Sequence, residues 1–205
     1  MLHNGLTKLS IALLVFMMLA AEAAAHPMRG WHPDHSFVNG FLHPWQGIDH
    51  LVTMIGIGIW ASQSSRDHPR WLQVAGIFSG TMAAAFFISY KYELDLGNMV
   101  ESSIGIGLMI LGVILVFTPH FSFAFMLPVI AVMAVFHGAA HAEEMAHNLS
   151  TLWFVAGFIS ATLVLQYIGF ACGRAWQEQA YRQFFLRCLT GISVLFIGGM
   201  KVFFG

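Results

Sequence analysis

Six apolar stretches of bilayer-spanning length, joined by short connections, fill nearly all of this sequence beyond its first 36 residues. They run over residues 37–61, 71–90, 97–117, 121–145, 149–173 and 184–204. A transmembrane helix needs about 20 predominantly apolar residues. The pattern therefore predicts an all-α polytopic membrane protein, one bundle of six transmembrane helices without a soluble domain. Charge content agrees: 9% of the 205 residues are charged, against about 25% in an average soluble protein. A formal net charge of −1 with no basic run leaves no footprint for nucleic acid. No nucleotide-binding motif is present either. The expected partners are thus the lipid bilayer and a small solute, with homo-oligomerisation left open.

Residues 1–25 read as a cleavable signal peptide, and 26–205 as the membrane domain. Lys8 supplies a positive start, residues 11–21 form an apolar segment too short to span, and Ala23-Ala24-Ala25 offers small-residue cleavage. An uncleaved anchor is the alternative. Cleavage would leave His26 as the mature N-terminus on the periplasmic or extracellular side of the cell inner (cytoplasmic) membrane. The connections at 62–70 and 174–183 then face the cytoplasm with Arg66, Arg70, Arg174 and Arg182, against Arg29, Lys91 and Lys201 opposite. That bias follows the positive-inside rule. Gly76/Gly80 and Gly169/Gly173 have the GxxxG spacing that permits close helix contact. No internal sequence repeat is evident, which leaves a cryptic pair of inverted three-helix halves open.

Two clusters of ionisable residues interrupt these apolar stretches. Each charged side chain at a bilayer centre costs about 2.5–3.5 kcal/mol on insertion scales, so such residues mark a site by default. Histidine is also abundant, 11 residues against 9 lysines and arginines together. In the first stretch His43 and His50 lie seven apart, with Met54 one turn further, so all three share one helical face. Asp49 is offset by about 100°, placed either to ligate or to orient a histidine. Pro44 and Gly47 between the histidines predict a kink. In the fourth stretch His137, His141 and Glu144 are spaced by four and three and form a stripe, while Glu143 points elsewhere. Glu101 falls about one turn from the outer end of the third. Three helices thus bring ionisable groups to one depth on one side.

Imidazoles with carboxylates are the donor set for Ni²⁺, Co²⁺ or Zn²⁺. Core hydrogen bonding alone is the bland alternative. A haem held between two histidines fits poorly beside carboxylates, and no prosthetic group is expected. An enzyme reading meets obstacles. His137 and His141 have the HxxxH spacing, but Gly138 stands where a zinc protease carries its glutamate, and no G-x-S-x-G elbow occurs. A membrane-embedded zinc-dependent hydrolase, with Ser102, Ser103 and Asp49 as auxiliaries, is the competing function. Met54 is more often packing than ligand. At a mature His26, amine and imidazole could chelate a metal, with His32 and His35 adding ligands. His68, His120 and His147 read as loop residues. Cys172 and Cys188 form no metal-type pattern and read as packing.

At these residues the chain resembles the HupE/UreJ family of nickel and cobalt permeases. The family pattern H-P-x-x-G-x-D-H-x-x-x-M is met by His43, Pro44, Gly47, Asp49, His50 and Met54. A second pattern, F-H-G-x-A-H-G-x-E, is met by Phe136, His137, Gly138, Ala140, His141 and Glu144, with Ala142 where glycine is usual. The resemblance implies uptake of Ni²⁺ or Co²⁺ into the cytoplasm for metalloenzymes such as hydrogenase or urease. His43 would receive the ion, His50, His137 and His141 would bind it, and Asp49, Glu101 and Glu144 would supply charge. Without a nucleotide site, energy would come from the ion gradient, proton exchange or downstream trapping.

Overall fold

The computed structural model describes residues 36–63, 70–117, 122–145, 149–176 and 180–204. All regular structure among them is helical: α1 Ser36–Gln46, α2 Ile48–Gln63, α3 Trp71–Tyr92, α4 Asn98–Val116, α5 Phe123–Glu144, α6 Thr151–Ala175 and α7 Ala180–Phe204. The expected signal peptide, His26, His68, His120 and His147 lie outside the described residues.

Helices α3 to α7 are each long and apolar enough to cross a membrane. The first expected span, 37–61, is instead two helices that break at Gly47. Pro44 has no amide hydrogen to donate into α1, and glycine costs helix stability at the break. The 16 residues of α2 rise only about 24 Å, short of the roughly 30 Å hydrocarbon core. The last helix starts at Ala180, earlier than the expected 184.

Helix ends carry local signals. Ser122 caps α5 by accepting the Phe125 N–H at 3.2 Å. Glu93, with φ of 48°, closes α3 in the left-handed region, and Gly97, with φ of 42°, opens α4. The connection between them is tied to the end of α5, where Glu143 accepts the Leu96 N–H at 2.9 Å.

α2 is buried from Asp49 to Ser62, the pattern of a helix apolar all round and enclosed by others. The main pairings are α1 and α2 with α6, α3 with α5, and α4 with α7. Glycines set the distance at each seam. A methyl at Gly40 or Gly157 would run into the facing backbone of α6 or α1, and Gly112 and Gly191 do the same for α4 and α7. Of the two GxxxG pairs, Gly169 meets the Ile55 carbonyl of α2 and Gly173 meets Ser62. A Cβ at Gly76 or Gly80 would meet no other part of the described structure within 4 Å, which corrects that half of the expectation: they sit on the exposed face of α3. Large apolar side chains such as Leu72, Met99, Val132, Leu152 and Phe203 are exposed around the bundle, as suits lipid contact. The fold is that of a multi-pass helical membrane protein.

Candidate metal centre

The break at Gly47 places Asp49 and His50 in the first turn of α2. The Asp49 Oδ1 atom accepts the His50 backbone N–H at 2.9 Å and faces the His50 Nδ1 at 3.1 Å. A Cβ at Gly47 would come within 2.7 Å of both that oxygen and that nitrogen. Glycine is what allows the two side chains to fold back over the break. One turn before it, α1 contributes the half-buried His43.

On α5, His137 and His141 are wholly buried and Glu144 ends the helix at the surface. Their position depends on Gly138, where a methyl would collide with the Met82 carbonyl of α3. Phe78 of α3 meets the His137 ring edge-on at 5.7 Å between centroids, and Phe158 of α6 stacks on His141 at 4.7 Å.

Four imidazoles gather in this way. His141 lies 4.9 Å from His43 and 4.7 Å from His50 by ring centroids, and His137 lies 5.2 Å from His50. His43 Nε2 also sits 2.7 Å from Glu144 Oε2. His43, His141 and Glu144 each offer a ligand atom within 4.8 Å of the others.

The hydrogen-bond pattern assigns the tautomers. His137 donates from Nδ1 to the Met133 carbonyl at 2.8 Å, and His50 Nδ1 is held by the Asp49 carboxylate. A proton on Nδ1 leaves a lone pair on Nε2. Among the described residues, the Nε2 atoms of His50 and His137 and both ring nitrogens of His141 are buried without a hydrogen-bond partner. An unpaired buried polar atom costs about 1–3 kcal/mol, and lipid offers no water to relieve it. A divalent cation would use these lone pairs, and the held Nδ1 atoms would aim the rings at it.

A second layer of charge comes from α4 and α7. Lys201, in the last turn of α7, pairs with Asp49 Oδ2 and with Glu101 Oε2 in the first turn of α4. Asp49 therefore orients His50 with one oxygen and meets the lysine with the other. Glu101 reaches the cluster through that lysine. Asp49, Glu101 and Glu144 against Lys201 leave two negative charges beside the imidazoles, the complement of one divalent ion.

All seven main sequence candidates lie at this end of the bundle. Met54 is buried one turn below His50, with its Sδ accepting from Gln166 Nε2 at 4.0 Å. Ser102 is exposed and Ser103 lines an apolar groove between α4 and α5 with Ile106, Val132 and Phe136, to which no histidine contributes. Cys172 and Cys188 are free thiols in partly exposed positions. The sequence reading missed Lys201, counting it only for topology. A lysine inside an apolar stretch was the signal that could have found it.

A family model described as HupE / UreJ protein matches residues 14–200 of the chain. Among curated proteins, the chain is 30% identical over 151 residues to Protein HupE of Rhizobium leguminosarum bv. viciae, covering 74% of this chain and 76% of that relative. No solved structure matches.

Proposed function

This chain belongs to the HupE/UreJ family, and on that premise we propose that it carries a divalent transition metal ion, Ni²⁺ first and Co²⁺ second, into the cytoplasm. The observation that carries the reading is the set of buried, partnerless ring nitrogens on His50, His137 and His141. Neutral imidazole suits nickel, cobalt and zinc.

In this mechanism the half-buried His43 and the exposed Glu144 receive the ion and strip part of its water. His141, within 5 Å of both His43 and His50 by ring centroids, takes it over. His50 and His137 then complete the ligand set, while Asp49 and Lys201 hold His50 in place. Binding has to be weak enough for release, so ligands exchange as the ion moves inward. The topology that goes with this reading has α1 and α2 as the first of six spans, a cleaved signal peptide, and the cluster facing the periplasm.

Nothing favours the zinc hydrolase: Ser102 is exposed, Ser103 lines an apolar groove to which no histidine contributes, and the family membership supports carriage over chemistry. Metal accumulation in cells expressing the chain, measured for several metals, tests the proposal. Uptake of Ni²⁺ above that of control cells is expected. Product release without accumulation would turn the reading toward a hydrolase, and neither outcome would leave it a structural protein.

A further inference from the structure

We propose a second cation station one helical turn below the histidine cluster, built from Met54 Sδ, Thr162 Oγ1 and Gln166 Oε1. It rests on the transport reading and supplies the step by which a divalent transition metal leaves the imidazoles.

Two helical stripes define it. On α6, Phe154, Phe158, Thr162 and Gln166 follow at intervals of four, so they share a face. The upper half of that face touches the cluster: Phe154 lies 5.8 Å from His43 and Phe158 lies 4.7 Å from His141 by ring centroids. On α2, His50 and Met54 are also four apart. The Gln166 Nε2 contact to Met54 Sδ at 4.0 Å brings the lower halves of both stripes together.

Thr162 and Gln166 are 0% and 2% exposed, and Met54 is 0% exposed. The Thr162 hydroxyl and the Gln166 carbonyl oxygen nevertheless have no hydrogen-bond partner among the described residues. A helical threonine ordinarily bonds back to the carbonyl four residues earlier, and Thr162 does not. The neighbouring seam is closed, since a Cβ at Gly58 would strike the Gln166 backbone carbonyl. Two buried, unpartnered oxygens one turn apart on α6 thus lie on the face that reaches Met54, where the amide now presents Nε2 to the thioether and a flip of that amide would present Oε1.

Their chemistry suits transit. All three donors are neutral, so binding here needs no proton to leave. Thioether sulfur is a soft ligand that disfavours Mg²⁺ and Ca²⁺, which prefer all-oxygen sites. Amide, hydroxyl and thioether together hold an ion more loosely than imidazoles do. A looser second site is what a pathway needs for onward movement.

The full chain, purified and reconstituted in liposomes, is tested by equilibrium ⁶³Ni²⁺ binding and by ⁶³Ni²⁺ uptake. Gln166→Leu should keep the parent's bound metal and lose uptake by at least tenfold. Gln166→Glu, which places an anion at the station, should bind one more ion per chain than the parent and release it slowly. Parental uptake by Gln166→Leu with binding intact would overturn the station. Should Gln166→Leu lose binding altogether through misfolding, Gln166→Glu decides, and an unchanged stoichiometry there overturns it equally. A parent that neither binds nor takes up Ni²⁺ would sink the transport reading itself, an outcome distinct from a transporting parent with an indifferent Gln166.

Discussion

On the proposed reading, metal carriage rests on a few side chains with buried, unpaired ring nitrogens. His50, His137 and His141 contribute those atoms, so alanine at any of them should reduce Ni²⁺ uptake to background at normal expression. Alanine at His68 or His147, read from the sequence as loop residues, should be nearly silent. Uptake and immunoblotting of the five variants checks this, and equal tolerance throughout would remove the histidines from the pathway. Lys201 has the opposite role. Lys201→Met would free one Asp49 oxygen and leave three carboxylates uncompensated beside the imidazoles. A deeper well for the cation binds tighter and releases slower, so KM and maximal uptake rate should both fall, several-fold each. Lys201→Arg should retain both, and liposome uptake kinetics separate the cases. The histidine stripes were legible because residues four and seven apart share a face. The partners of Lys201 were not, because a lysine near a helix end ordinarily snorkels to water. Only the packing of α7 carries it to Asp49, 152 positions away in sequence.

At the scale of the element, the broken first helix is the informative one. Its seven-residue spacing suggested that His43 and His50 share a face of one continuous helix. They do meet, 6.0 Å apart by ring centroids, but across the break at Gly47. Gly47→Ala would push a methyl within 2.7 Å of the Asp49 and His50 side-chain atoms, forcing the ligands to shift while the helices stay packed. Uptake should drop at least tenfold with little change in melting temperature in detergent. Gly138→Val is a different case, because the obstacle is the α3 backbone. Overpacking of this kind costs about 1–3 kcal/mol, so melting temperature and uptake should fall together. Gly76→Ala and Gly80→Ala, with open space around them, should change neither. These contrasts were hidden in sequence, since GxxxG spacing reports which glycines share a face and not which face meets a neighbour.

For the whole molecule, the pairings α2 with α6, α3 with α5 and α4 with α7 are unchanged when the first three of these helices are exchanged in order for the last three. The arrangement brings the candidate ligands of α1, α2 and α5, with charge from α4 and α7, to one end of the bundle, so the cluster exists only when all of them are assembled. Its pH response belongs to this scale. An imidazole must be neutral to ligate, and its ordinary pKa is about 6.5. Protons and metal compete for the same lone pairs, so uptake should fall as the outside is acidified. More metal shifts that competition against the proton, so the midpoint should move to lower pH at saturating Ni²⁺ than at limiting Ni²⁺. Uptake across a pH series at both concentrations tests it. A midpoint indifferent to metal would assign the pH dependence to a proton-coupling group elsewhere.

The sequence alone determined that the chain is a helical membrane protein, and that its histidines and carboxylates fall at one depth. Both follow from local physics: apolar length against bilayer thickness, and the 3.6-residue helical period. The tertiary structure decided which of those groups touch, which nitrogens are left without partners, and which carboxylates are taken by Lys201. Such contacts depend on the distance and rotation of helices far apart in sequence. Those are set where glycine lets backbones approach, and the spacing of residues along one helix carries no record of them.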